Sequence, residues 1–183
     1  MTSVGREHSR SLSEPPPTFL PMELPEARSM ATDLLARHGL HDWQVVFDGA
    51  KRRAGQCRHA DRVISLSAGL TRLHPETEVR DTVLHEIAHA LVGPGAGHGP
   101  VWQAKAREIG CTAERCVSPD APRLPGAWLG VCTAGHTAER HRRPERVTAC
   151  RRCSPTFSVG HVFEWTYRGV PARMHPNYLA ELR

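Results

Sequence analysis

No stretch of this 183-residue chain is long or apolar enough to span a bilayer. Met1 to Pro25 has Ser, Pro, Arg and Glu but no uninterrupted apolar run, so it reads as a flexible tail around Pro15-Pro16-Pro17 rather than a signal peptide. Both absences point away from a membrane partner and toward the cytoplasm, where cysteines stay reduced and serve chiefly as metal ligands. Lysine is nearly missing as well, Lys51 and Lys105 being the only two. The net charge of +5 is therefore an arginine charge. Between Arg140 and Arg152, six arginines (Arg140, Arg142, Arg143, Arg146, Arg151 and Arg152) stand against one acid, Glu145, and carry the whole excess. Concentration in one patch is a nucleic-acid signal; a chain-wide preference for arginine over lysine is the competing explanation. The length suits one compact domain with a small appendage, not two full domains.

What is present is more specific. His85, Glu86 and His89 form an HExxH motif within a run, Val79 to Leu91, that reads as a helix. Pro75 suits a first helical position, Glu76 and Glu78 suit the positive helix N-terminus, and Val79, Val83, Leu84, Ile87, Ala88 and Leu91 recur at helical spacing until Gly93 and Pro94 stop it. Histidines at i and i+4 stand one turn apart on one face, so both imidazoles reach a single zinc ion while Glu86 stays beside the remaining coordination position. That is the layout of a zinc-dependent hydrolase. Two chance histidines on a solvated helix are the bland alternative, which the amphipathic context disfavours.

Such a site needs a third protein ligand. His98 follows the Gly93-Pro94-Gly95-Ala96-Gly97 turn, which returns the chain over the helix. The metzincin pattern is excluded, because Val92 and Gly95 stand where it needs glycine and histidine. A later glutamate, Glu108 or Glu114, is the weaker alternative, since Trp102 to Ile109 reads as a short helix that carries Glu108 away. Asp81, one turn before His85, is the expected acceptor for the far ring nitrogen of a ligand histidine.

Glu26 to His38 reads as a packing helix with Ala27, Met30, Ala31, Leu34 and Leu35 on one face. Trp43 to Phe47 and Arg62 to Leu66 read as strands, with Ala54 to Arg58 a third between them. Gly110 to Ala127 reads as a linker through Ser118-Pro119-Asp120. Beyond it, Cys132-x3-His136 and Cys150-x2-Cys153 are two ligand pairs thirteen residues apart, a spacing that closes two knuckles on one structural zinc. Three thiolates leave that zinc at −1, so Arg151 and Arg152 also read as local neutralisers. Phe157, Val159, Val162, Phe163, Trp165 and Tyr167 suggest a hairpin turning near Gly160. Cys57 reads as a strand-packing cysteine, and Cys111 and Cys116 as buried thiols.

Together His85-Glu86-Ile87-Ala88-His89, Gly97-His98-Gly99 with Trp102, Arg53-Ala54-Gly55-Gln56-Cys57 before Ile64-Ser65-Leu66-Ser67, and the downstream cysteines resemble the SprT-like (Spartan-type) metalloprotease domains over about Leu24 to Tyr167. The resemblance implies that the three histidines bind zinc, that Glu86 is catalytic, that the substrate is protein, and that the setting is chromosome-associated proteolysis. Family members with a C-terminal zinc ribbon show two CxxC pairs; here Gly135 takes the place of the second cysteine and His136 follows it, with His141 a less favoured stand-in. The expected fold is α+β, a zincin-like core of a small sheet and the HExxH helix followed by a small β zinc ribbon. Its expected division is a tail over 1–24, the metalloprotease domain over 25–117, a linker over 118–127, the ribbon over 128–170 and a C-terminal tail over 171–183. Arg62 to Ser67 is the expected edge strand for an extended peptide, with a covered interior strand as the alternative.

The functional expectation is a zinc endopeptidase with one catalytic and one structural zinc. Arg140, Arg142, Arg143 and Arg146 are the candidate contacts for DNA, single-stranded by preference. A non-catalytic, zinc-containing nucleic-acid-binding module is the rival from another class, and the intact Glu86 argues against it. A metallohydrolase for small molecules is disfavoured because no lid or second domain is evident to shape a closed pocket.

Overall fold

The computed structural model describes residues 22–114 and 121–183. Cys116, the Ser118-Pro119-Asp120 turn and most of the expected N-terminal tail lie outside them. Helix α1, Leu24–Arg37, buries Ala27, Ala31, Leu34 and Leu35, the spacing that makes one helical face apolar. Strands β1 (Gln44–Asp48), β2 (Gly55–Arg58) and β3 (Val63–Ser67) follow. They form a sheet in the order β1-β3-β2, with β1 parallel and β2 antiparallel to β3.

The segment expected at the sheet edge is therefore its centre. Strand β3 is bonded on both sides and buried at every position, as its run of β-branched, leucine and serine residues allows. The edge expectation for Arg62 to Ser67 fails because β1 returns in parallel on one flank while the tight β2–β3 connection occupies the other. Strand β2 is the edge nearer the HExxH helix. The Ser67 amide donates to the Ala54 carbonyl at 2.8 Å, so Ala54, Gln56 and Arg58 turn their main-chain groups toward β3, and Gly55 and Cys57 turn theirs outward. At the opposite edge, Arg28 Nη1 donates to the Val45 carbonyl at 2.6 Å and closes off β1.

A short helix α2 (Ala68–Thr71), capped by Ser67 Oγ, leads to α3, Glu76–Val92, which carries the HExxH residues. Pro75 is its N-cap rather than its first helical residue, and Gly93 is its C-cap. Helix α4, Pro100–Glu108, packs back on α3. The core joins Leu34 and Leu35 of α1, Val45, Ile64 and Leu66 of the sheet, Val83, Leu84, Ile87 and Ala88 of α3, and Trp102 and Ala106 of α4. Each large side chain buried there contributes roughly 1.5–3 kcal/mol. Part of the expected linker packs on this unit: the Pro122 carbonyl lies 2.9 Å from His74 Nε2, and the Leu124 side chain lies over Gly69.

The C-terminal unit is a second antiparallel sheet, β5-β4-β6-β7, from β4 (Trp128–Val131), β5 (Thr137–Arg140), β6 (Glu164–Tyr167) and β7 (Val170–Pro171). Its own core comprises Trp128, Cys132, Cys150, Phe163, Trp165 and Tyr178. The hairpin turns at Arg168-Gly169, not near Gly160. Residues Val159–His161 form a 3-10 turn instead, tied down by the Cys150 amide on the His161 carbonyl at 2.8 Å, and Phe157 and Val159 are exposed. Residues 171–183 are no mere tail: they contain helix α5, Pro176–Glu181, whose buried Tyr178 donates its hydroxyl to the Phe163 carbonyl at 3.0 Å. Among the described residues, no helix is long and apolar enough to cross a membrane.

Candidate metal centres

Helix α3 presents His85 and His89 one turn apart, and the glycine-rich turn after it supplies the third imidazole. Gly95 and Gly97 adopt positive φ (98° and 52°), which lets the chain reverse within a few residues before α4 begins at Pro100. His98 Nε2 consequently lies 2.9 Å from His85 Nε2 and 3.2 Å from His89 Nε2. The ring of Trp102, fully buried in α4, forms a floor beneath all three, with centroids 4.6 Å from His85, 5.2 Å from His89 and 4.6 Å from His98.

Burial, and then the other imidazoles, pushes His85 below the ordinary histidine range and His89 down to about 4. Neutral His85 and His89 present lone pairs, and with His98 three ring nitrogens converge on one point, an arrangement that suits a cation between them. Nitrogens held tetrahedrally around zinc at 2.0–2.1 Å sit about 3.3 Å apart, close to what these rings show. The donor set fits zinc with one position left open. Glu108 does not join it, being ion-paired with Lys105 at the surface.

His85 has a main-chain partner that its sequence neighbours did not reveal: the Glu114 backbone supports the ring, while Asp81 acts on it only through charge. The Asp81 carboxylate instead accepts from Thr112, both N–H and Oγ1–H at 2.8 Å. The direct Asp81 contact therefore gives way to an indirect one, in which Asp81 anchors the segment that presents Glu114. The buried thiol of Cys111 sits in the same segment, its Sγ 3.9 Å from the Asp81 carbonyl.

Glu86 faces the edge strand. Its side chain is only 7% exposed, and burial pushes the carboxyl up to about 7 against the opposing pull of the Cys57 N–H and the Arg53 charge. The outward main-chain parity of Cys57 is what lets its amide reach the carboxylate. Gly55 makes the approach possible, since a Cβ there would lie 2.8 Å from Glu86 Cγ and Oε1. Asp48 organises the preceding loop, accepting from the Ala50 amide at 2.8 Å, Arg53 Nη2 at 2.7 Å and Ser65 Oγ at 2.5 Å. Burial alone would raise the Asp48 carboxyl, but these donors hold it below its ordinary value. The other nitrogen of the same guanidinium, Nη1, is buried without a hydrogen-bond partner among the described residues.

The second cluster lies in the C-terminal unit. The ligand atoms of Cys132, His136, Cys150 and Cys153 fall within 4.8 Å of one another. His136 enters through Nδ1, 3.7 Å from Cys132 Sγ, 3.5 Å from Cys150 Sγ and 3.2 Å from Cys153 Sγ. Two tight turns build it: the Gly135 amide returns to the Cys132 carbonyl at 2.8 Å, and the Cys153 amide to the Cys150 carbonyl at 3.2 Å. His141 is not a member. Burial, and then the neighbouring thiols, pushes Cys153 up to about 11, so the cluster resists holding several thiolates without a cation. Three sulfurs and one imidazole complete a tetrahedral shell, which fits zinc with no open place.

The arginine patch is exposed. Arg142 and Arg143 have no polar partner among the described residues, whereas the Arg140 guanidinium lies 5.8 Å from the Trp165 ring and Arg146 lies 3.8 Å from Glu181.

The model of the SprT-like family matches residues 29–121, about half of the chain. The span contains His85, Glu86, His89 and His98 and ends before the second cluster. No curated protein and no solved structure matches the chain.

Proposed function

The chain belongs to the SprT-like family, and on that premise we propose that it is a zinc-dependent endopeptidase, with a catalytic zinc on His85, His89 and His98 and a structural zinc on Cys132, His136, Cys150 and Cys153. The observation that carries the reading is the convergence of three imidazoles beside a buried carboxyl group: a purely structural zinc has no use for a base at an open coordination position. Zinc bound there supplies a Lewis acid for the scissile carbonyl and an acidic water, of pKa roughly 7. Glu86 takes the proton of the attacking water on its carboxylate and hands it to the leaving amine. The Cys57 amide and Gly55 hold that carboxylate in place. An extended substrate pairs through its backbone with the outer edge of β2, beside Glu86, at main-chain groups other than the Cys57 amide, and such pairing accepts many sequences.

The exposed Arg142 and Arg143, with Arg140 and Arg146 nearby, support a DNA-contacting role for the C-terminal unit and so a substrate class of DNA-associated or DNA-crosslinked proteins. The test incubates zinc-loaded wild type and Glu86→Gln with a DNA-crosslinked protein, with and without single-stranded DNA. Cleavage by wild type alone is expected, with the zinc content of both unchanged. Cleavage by Glu86→Gln at the wild-type rate refutes the mechanism. Equal binding of single-stranded DNA by wild type and Arg142→Glu/Arg143→Glu at low salt refutes the role of the patch, whose binding is expected to weaken with salt by a log–log slope of about −0.7 per phosphate contact.

A further inference from the structure

Hydrolysis needs one more group than the zinc ligands and Glu86 provide. When water attacks the peptide carbon, the carbonyl π pair moves onto oxygen, and a fixed donor near that oxygen stabilises the tetrahedral anion more than the planar substrate. The register of β2 against α3 indicates where such a donor stands. Successive same-side residues of β2 run along the helix. A Cβ on Gly55 would meet Thr82 Cγ2 at 2.9 Å and Glu86 Cγ at 2.8 Å, and the Cys57 amide meets the Glu86 carboxylate. Residues two apart on a strand are spaced much like successive turns of a helix, so the next same-side residue, His59, follows Cys57 toward His89. His59 opens the turn joining β2 to β3, just past the strand's last residue. A positive charge on His59 would lower His89, in keeping with that placement.

The ring of His59 is also held. Its Nε2 lies 3.5 Å from Cys57 Sγ, and it meets Trp43 in a T-shaped contact with centroids 5.8 Å apart and planes at 85°. The thiol keeps its proton over the working range, because burial and the nearby Glu86 charge push Cys57 up to about 12. With the thiol donating to Nε2, a neutral His59 ring carries its proton on Nδ1; in a charged ring both nitrogens carry protons. Nδ1–H is thus a donor in either state.

We propose that His59 is the oxyanion-stabilising catalytic residue, placed by the β2 register and held in its tautomer by Cys57. The inference rests on the peptidase reading above, and its test separates the two. Loss of an oxyanion donor costs about 10²–10³ in kcat. His59→Phe, which keeps a ring against Trp43, is expected to lose that much with KM and zinc content little changed, and His59→Gln, which keeps an N–H donor, to recover part of it. Independently of turnover, titration calorimetry should show a phosphinic peptide, a tetrahedral anion, binding His59→Phe more weakly by a similar factor. A peptide hydroxamate, which is planar, should bind both proteins alike. Wild-type affinity of His59→Phe for the phosphinic peptide, or equal loss for both inhibitors, overturns the proposal even for a preparation with no measurable cleavage. Failure of wild type to cleave any peptide, with the inhibitor difference intact, counts against the peptidase reading alone.

Discussion

Gly55→Ala is a one-carbon test of how Glu86 is placed. The backbone there imposes no glycine-only conformation, so the whole effect is steric. The added Cβ would lie 2.8 Å from Glu86 Cγ and Oε1 and 2.9 Å from Thr82 Cγ2, whereas ordinary contact begins near 3.4 Å. Strand and helix must therefore part, or the carboxylate must swing, by roughly 0.6 Å, in a region whose overpacking costs about 1–3 kcal/mol. A misplacement of about 1 Å in a catalytic group costs on the order of 10²-fold, so a 10- to 100-fold fall in kcat/KM is expected. Zinc content should not change, because no atom of His85, His89 or His98 is among those the methyl meets most closely. Gly49→Ala is the control: it lies in the loop before β2, and a Cβ there meets nothing within 4 Å. Steady-state cleavage of an unstructured protein, paired with metal analysis, reads both variants. Wild-type kcat/KM in Gly55→Ala refutes the placement of Glu86, and loss of zinc alongside activity refutes the claim that the glycine serves the base rather than the metal.

In the proposed mechanism Glu86 acts as a base only when ionised, and burial raises its carboxyl to about 7. Activity is therefore present above that value and lost as pH falls through it; zinc pulls the carboxyl downward, so kcat/KM should show an acidic limb at or below about pH 7, and a limb above pH 8 counts against this assignment. Asp81→Ala frees Thr112 and with it the Glu114 support of His85, so chelator competition should show zinc affinity lower by about 10- to 100-fold; wild-type affinity refutes the indirect anchor. Cys150→Ser/Cys153→Ser should lose one zinc equivalent and expose the tryptophans of the second core, Trp128 and Trp165, in fluorescence while the histidine site keeps its metal; unchanged stoichiometry refutes the closed cluster.

Local pattern and spacing determined a good deal of this protein. His85 and His89 share a face because helical geometry puts i and i+4 together, with Glu86 one residue round the helix beside them, and the apolar periodicity around them specifies that helix without reference to any partner. The glycine turn fixed the return of His98, and the two knuckles fixed the cysteine–histidine cluster, since each needs only a few consecutive residues to close. Strand order was not legible, because Val63–Ser67 has the composition of a buried strand, and which neighbours bury it depends on where distant segments dock. The hairpin turn and the tail were misread for a related reason. Phe157 and Val159 are apolar but belong to a loop pinned by Cys150, and Tyr178 becomes a core residue only when α5 folds back onto Phe163. The groups around Glu86 and His85 were hidden most deeply. An outward amide on Cys57, the missing side chain of Gly55 and the main chain of Glu114 carry no side-chain signature, and they gain their roles only when tertiary packing brings a strand edge and a distant loop against the helix.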